Sequence, residues 1–239
     1  MTGNGLRILL TAMLAIAATT GAMAQSAKPN SVDSQVMSTD GFLSAHPDLR
    51  FRLLGLKAFN GQDYSTAMAH FLRASRYADK PSQGMVAEMH WGGLGVPVNR
   101  PLGYAWMDLA AERQFKVMLV HRERYWKALS DAEREQAIQV GQAVYAEYSD
   151  KAAKPRLESF LRRARSGTTG SRTGFVGALT ITIPGPSGEI TLDGSQYYQD
   201  KFWDADAYWA WQAEDWKELP KGTVNVGPLQ VPATPPKAP

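Results

Sequence analysis

Residues 83–114, QGMVAEMHWGGLGVPVNRPLGYAWMDLAAERQ, constrain this chain more than any other stretch. They read as two helices joined by a Gly-rich loop, the second opening after Pro101 and carrying small residues at Ala105, Ala110 and Ala111. Small side chains at those positions let helix backbones approach closely. The pattern therefore predicts helices stacked in pairs, an arrangement that serves binding more readily than catalysis.

The flanking sequence supplies more helices. Leu49, Leu53, Leu54, Ala58 and Phe59 fall at helical spacing, and Asn60-Gly61 ends that first helix. Asp63 is the expected N-cap of a second, whose apolar face is Ala67, Met68, Phe71, Leu72 and Ala74. Lys80-Pro81 is expected to end it and Ser82 to start a third, which breaks at Gly92-Gly93-Leu94-Gly95. A fourth covers about 102–114 and a fifth 115–129. Ser130 and Glu133 have capping-box spacing and open a sixth that continues through Tyr148. The last is expected from Pro155, as a first-turn proline, to about Arg165.

Two units emerge from this series. Phe51, Leu54-Gly55, Ala67 and Phe71 match the small and aromatic positions of the tetratricopeptide repeat, with Ala58 where that pattern has a large aromatic. The second unit has Gly93-Leu94-Gly95-Val96 between its helices, then Ala105-Trp106, then Ala110-Ala111. This resembles the Sel-like repeat, a relative of the tetratricopeptide repeat, with Ala87 in place of its usual glycine and His90 in place of an aromatic. The resemblance covers residues 46–114 well and 115–165 loosely. It implies a secreted bacterial member of that family: a mainly α chain, built as a short antiparallel α-solenoid of helix pairs whose surface recognises a protein or peptide. Several bacterial members serve as adaptors in envelope pathways, an associational argument.

The chain ends carry different signals. Residues 1–24 hold one basic group, Arg7, an apolar run and the small-x-small triplet Ala22-Met23-Ala24, which together read as a cleaved signal peptide. The run is shorter than the roughly 20 residues of a membrane-spanning helix, so no stable membrane insertion is expected. The expected location is periplasmic or secreted, and the absence of cysteine suits an oxidising compartment. Residues 25–44 show no apolar period and read as a flexible leader. Residues 45–165 form the repeat domain, and the Gly-, Ser- and Thr-rich stretch 166–174 a hinge. Residues 175–230 make a small β-containing module, with a hairpin around 184–188 and a short strand at 223–226. Residues 231–239, VPATPPKAP, read as a disordered Pro-rich tail.

Chemistry is hard to find. His46, His70, His90 and His121 stand singly, without the short ligand spacings of zinc motifs, so no metal is expected. Asp200, Asp204 and Asp206 lack the glycine turn and terminal glutamate of a calcium loop. Glu88, Asp108, Glu112 and Glu123 read as solvated helix carboxylates rather than a glycosidase pair. No nucleophile elbow or phosphate loop is present, so neither a catalytic residue nor a cofactor is expected. Of 26 basic and 23 acidic residues only Arg7 lies in 1–24, leaving 25 and 23 interleaved, which gives nucleic-acid binding no electrostatic support.

The expectation is a non-enzymatic periplasmic interaction scaffold or adaptor of the cell envelope. Its partner contacts are sought at Arg52, Glu88 and Trp91, along a groove rimmed by the loop 92–100. A second reading starts from YYQDKFWDADAYWAWQAEDW at 197–216, whose rings are either the core of the C-terminal module or a stacking platform. As a platform, Trp203, Tyr208 and Trp211 would bind cell-wall glycan.

Overall fold

The computed structural model describes residues 32–168, 180–185 and 188–217. The expected signal peptide, the strand at 223–226 and the Pro-rich tail lie outside them, as does most of the expected hinge. The described chain is mainly helical, with one two-stranded antiparallel sheet.

Local chemistry explains where the central helices start. Pro47 opens α3 (Pro47–Asn60), and Asp63 caps α4 (Tyr64–Ser75) by accepting from the Thr66 amide at 3.1 Å. The next helix, α5 (Lys80–Gly92), starts before the expected Ser82, because α4 has already stopped at Ser75 and Asp79 supplies the cap. Pro81 then sits in the first turn, where a missing amide hydrogen costs nothing. Asn99 caps α6 (Arg100–Ala110), and a single 3-10 turn, Ala111–Arg113, follows. After α7 (Lys116–Ala128), the capping box of Ser130 and Glu133 opens α8 (Asp131–Tyr148) as expected.

The last long helix, α9 (Asp150–Thr168), corrects two expectations. It begins a full turn before Pro155, which lies inside it, and it continues into the stretch read as a hinge. Pro155 removes one intrahelical bond, to the carbonyl of exposed Lys151, and Asp150 at the positive helix start favours the earlier beginning.

Consecutive helices pack on one another: α3 on α4, α4 on α5, α5 on α6, then α6 on both α7 and α8, and α8 on α9. The small residues make this possible. A Cβ on Gly55 would stand 2.6 Å from the Phe71 ring, and one on Gly103 would stand 3.0 Å from the Trp91 amide nitrogen and 3.1 Å from the Ala87 carbonyl oxygen. Ala67, Ala87 and Ala110 are fully buried in the same core as Phe71, Met89, Trp106 and Tyr125.

The flexible leader expected at 25–44 is corrected from Val32 onward. That segment forms α1 (Val32–Met37) and α2 (Asp40–Ala45), with Val36 and Phe42 at 0% exposure. Its few apolar residues show no period because their partners lie at the other end of the chain: Leu192, Phe202 and Trp203. Strands β1 (Thr180–Gly185) and β2 (Gly188–Asp193) form the expected hairpin, in register from Thr180 opposite Asp193 to Gly185 opposite Gly188. Beyond it, α10 (Gly194–Tyr197), α11 (Asp200–Trp203) and α12 (Ala205–Asp215) carry the aromatic run. The C-terminal segment is thus no separate module, since it shares a core with α1, α2 and α3.

Two substitutions test this packing. Ala105, 2% exposed, should tolerate leucine poorly: Ala105→Leu is expected to cost about 1–3 kcal/mol in urea denaturation. Phe42→Ala should cost about 3–5 kcal/mol by the same measurement, whereas a leader without tertiary contacts would show almost no change.

Candidate functional site

Two groups of side chains stand out, one sealed and one open. The sealed group lies where helix ends converge. Arg52 of α3 turns its Nε to both carboxylate oxygens of Asp79, each at 3.0 Å, while Asp79 Oδ2 also accepts from the Ser82 amide at 3.0 Å. The turn that delivers Asp79 requires a left-handed backbone at Ala78, φ 62°, in a fully buried residue. Beside it, Lys80 Nζ donates to Gln83 Oε1 at 3.0 Å, to the Leu109 carbonyl at 3.1 Å and to Glu112 Oε2 at 2.6 Å.

Asp150, at the start of α9, completes this layer. It lies 3.2 Å from Lys80 Nζ and is held by Arg113 through a two-pronged pair at 2.7 and 2.9 Å. Burial pushes the Asp150 carboxyl up, but Arg113, Lys80 and Lys154 together hold it well below the usual carboxylate range. Burial pulls the Lys80 ammonium below the ordinary lysine range in spite of Asp150 and Glu112. Gln83 Nε2 donates to the Tyr148 carbonyl at 3.0 Å, so the C-terminal end of α8 is also tied in.

From the C-terminal side, Tyr208 donates to Asp48 Oδ2, and Gln212 Nε2 reaches the same oxygen at 3.3 Å. His46 is at 0% exposure, with Nδ1 2.8 Å from the Phe42 carbonyl oxygen and Nε2 2.7 Å from that of Phe202. Burial pulls the His46 imidazole below its ordinary value and pushes the Asp48 carboxyl above its own, although each pulls the other toward its ionised form.

The open group lies across α5, α6 and α7. Half-buried Trp91 stacks on the fully buried Tyr125, ring centres 3.8 Å apart and planes 11° from parallel. Arg100 sits 5.6 Å from the Trp91 ring centre, and Arg124 sits 5.6 Å from that of Tyr125. Glu88 pairs with His121 Nδ1 at 3.2 Å. Burial pushes Glu88 up, yet the neighbouring His121, Tyr125 and Arg124 hold its carboxyl below the ordinary value. Tyr125 is pushed far above the usual phenol range, first by burial and then by Glu88. Further along, Tyr104 packs on Trp126 at 4.9 Å, with Arg134 over the Trp126 ring at 5.3 Å. Burial pushes the Tyr104 phenol up to about 12.

The loop beside this ledge is fixed by its glycines. Gly93 and Gly95 take φ of 73° and 71°, and a Cβ on Gly95 would stand 2.6 Å from that of Tyr64. The Asn99 amide donates to the His90 carbonyl at 2.8 Å, closing the loop. Val98 is left 59% exposed at its tip, and Val120 of α7 is 62% exposed.

Of the residues sought from sequence, Glu88 and Trp91 meet on the ledge, one turn apart on α5. Arg52 does not join them. It is 4% exposed and its charge is engaged by Asp79, so its place among surface contacts is corrected. Trp203 and Tyr208 are corrected likewise as platform residues, being 7% and 0% exposed in the core. Trp211 is half-buried against Phe202 and Tyr208, at 5.5 and 5.6 Å. Tyr125, Arg100 and Arg124 were not singled out from sequence, because only folding places α7 against the end of α5. Among the described residues no cluster of three or more potential ligands could hold a metal ion, and no helix is long and apolar enough to cross a membrane. No family model, curated protein or solved structure matches this chain.

The sealed layer makes a pH-dependent prediction. A carboxylate with a depressed native pKa adds stability above its unfolded value of about 3.9 and loses it as pH falls through the native one. Asp150→Asn should therefore cost about 3 kcal/mol at pH 7 in urea titrations. The gap from wild type should persist to about pH 4–5 and close only in stronger acid.

Proposed function

We propose that this protein is a non-enzymatic interaction scaffold of the bacterial cell envelope, exported to the periplasm and built as a short α-solenoid of Sel-like helix pairs. Its docking surface is the ledge of Trp91, Arg100 and Arg124, with Tyr125 buried behind Trp91, and its partner is a protein segment or peptide. The observation that carries this reading is the half-buried Trp91, held flat on the buried Tyr125 ring, with exposed Arg100 by the first ring and exposed Arg124 by the second, on a loop and a helix that also expose Val98 and Val120. Aromatic and arginine side chains held on helices lose little freedom on binding and offer both apolar area and hydrogen-bond donors.

Three further observations support it. The successive packing of α3 to α6 and the close approaches at Gly55 and Gly103 fit paired repeat helices. Glu88 is biased toward a fixed carboxylate by His121, which suits a recognition charge better than a proton donor. The reading as a glycan binder is weaker, because Trp203 and Tyr208 have their faces covered by protein.

A photo-crosslinking residue placed at Val98 or Val120 should capture a partner from envelope extract. Trp91→Ala combined with Arg100→Ala should reduce that capture at least about tenfold, as expected for losing a central anchor, with a lowered thermal midpoint but a retained helical fold. Undiminished capture by a folded double variant would remove the ledge from consideration.

A further inference from the structure

His46 presents an accounting problem. Its two ring nitrogens lie 2.8 and 2.7 Å from carbonyl oxygens, those of Phe42 and Phe202, and a carbonyl can only accept. A neutral imidazole has one N–H, so either tautomer would press a bare nitrogen lone pair against an oxygen lone pair. An imidazolium donates to both. Those carbonyls belong to the last turns of α2 and α11, where a cation is favoured, although the Phe42 carbonyl also accepts the His46 backbone amide at 3.0 Å.

The surroundings of the ring point the same way. Phe42 stacks on it at 3.8 Å and 11°, and Trp203 and Tyr208 lie 5.3 Å away at steeper angles. Aromatic faces stabilise a buried cation. Asp48, two residues on, accepts from both Tyr208 Oη and Gln212 Nε2 at its Oδ2, as a carboxylate does.

The other charges nearby are spoken for. Arg52 of α3 is paired with Asp79 at the start of α5, and Lys201 of α11 with Asp33 of α1 at 2.6 Å. Transfer of one proton from Asp48 to His46 interconverts the neutral and ionised pairs without changing the proton count. The two carbonyl acceptors at His46 select the ionised pair, with Asp48 Oδ1 left buried without a donor.

We propose that His46 and Asp48 form a buried imidazolium–carboxylate clasp that locks the N-terminal helices α1 and α2 to the C-terminal helices α11 and α12, and that it loosens when His46 gives up its proton. Loss of that proton leaves one carbonyl, at the end of α2 or α11, facing an unprotonated nitrogen. The clasp is thus closed in acid and neutral conditions and released toward alkaline pH.

The wild-type chain, labelled with 15N at histidine, tests this directly by NMR. At pH 7, both ring nitrogens of His46, identified through contacts to the Phe42 and Trp203 rings, should carry protons that exchange slowly with water. A single protonated nitrogen beside an unprotonated one at pH 7 overturns the proposal. Raising the pH until the second proton leaves should lower the exchange protection of the α2 and α11 amides about tenfold, the equilibrium effect of one unpaired buried acceptor. Core amides of α5 should keep theirs, and unchanged protection at α2 and α11 also overturns it. In Asp48→Asn, which removes the counter-charge, His46 should lose its second proton at lower pH than in wild type. A folded Asp48→Asn chain that holds both protons to the same pH counts against the pairing, and the wild-type spectrum decides the question if that variant does not fold.

Discussion

Asp79 must satisfy two demands at once, and the structure is arranged around that. It caps α5 through the Ser82 amide and neutralises Arg52 of α3. Both partners are buried, so neither charge has water to fall back on, and leaving either alone would cost several kcal/mol, on the order of 3–5. α3 and α5 are consequently fixed at one separation and one rotation. Lys80, next in sequence, carries the same constraint to the end of α6 and the start of α9 through Leu109, Glu112 and Asp150.

This polar layer sits at helix ends for a physical reason. Helix starts present unpaired amides and helix ends unpaired carbonyls, and both must find partners when buried. Asp79 and Asp150 lie at starts, while Lys80 and Gln83 reach the carbonyls of Leu109 and Tyr148 near the ends of α6 and α8. The C-terminal α12 lies along this row. Its Tyr208 reaches Asp48, its Gln212 reaches both Asp48 and Arg113, and Trp216 just beyond it stacks at 6.1 Å on Phe115. One helix thereby joins the first and second halves of the stack, while α1 and α2 close over its neighbour α11.

Charge is used in opposite ways on the two groups of side chains. In the sealed layer every arginine and lysine named is bound to carboxylates or carbonyls, so its charge contributes to a unique packing and is unavailable to a partner. On the ledge, Arg100 and Arg124 lie against aromatic rings and are exposed. A guanidinium stacked on a ring keeps its in-plane N–H groups open for hydrogen bonding. The difference separates residues that hold the fold from residues suited to recognition, and Arg52 and Arg100 could not be told apart by residue type.

Local chemistry was legible in the sequence at several helix starts and turns, though not at Asp79 or Pro155, where a proline within the first turns masked the true start. Asp63 and the Ser130–Glu133 box cap the helices expected of them, Gly93 and Gly95 take the left-handed turn their loop requires, and the hairpin forms around 184–188. Glu88 and Trp91 share a ledge because one helical turn puts them on one face. What the sequence could not reveal depends on distant pairing. Val36 and Phe42 look like stray apolar residues until Phe202 and Trp203 cover them, and the aromatic run becomes core because α1 to α3 supply its other side. Arg52 is buried only because Asp79 arrives 27 residues later to neutralise it. Capping and turn geometry are decided by neighbouring dihedrals and donors, so sequence sufficed for several of them; whether a ring or a charge faces water is decided by what the rest of the chain lays over it, and only the tertiary structure settles that.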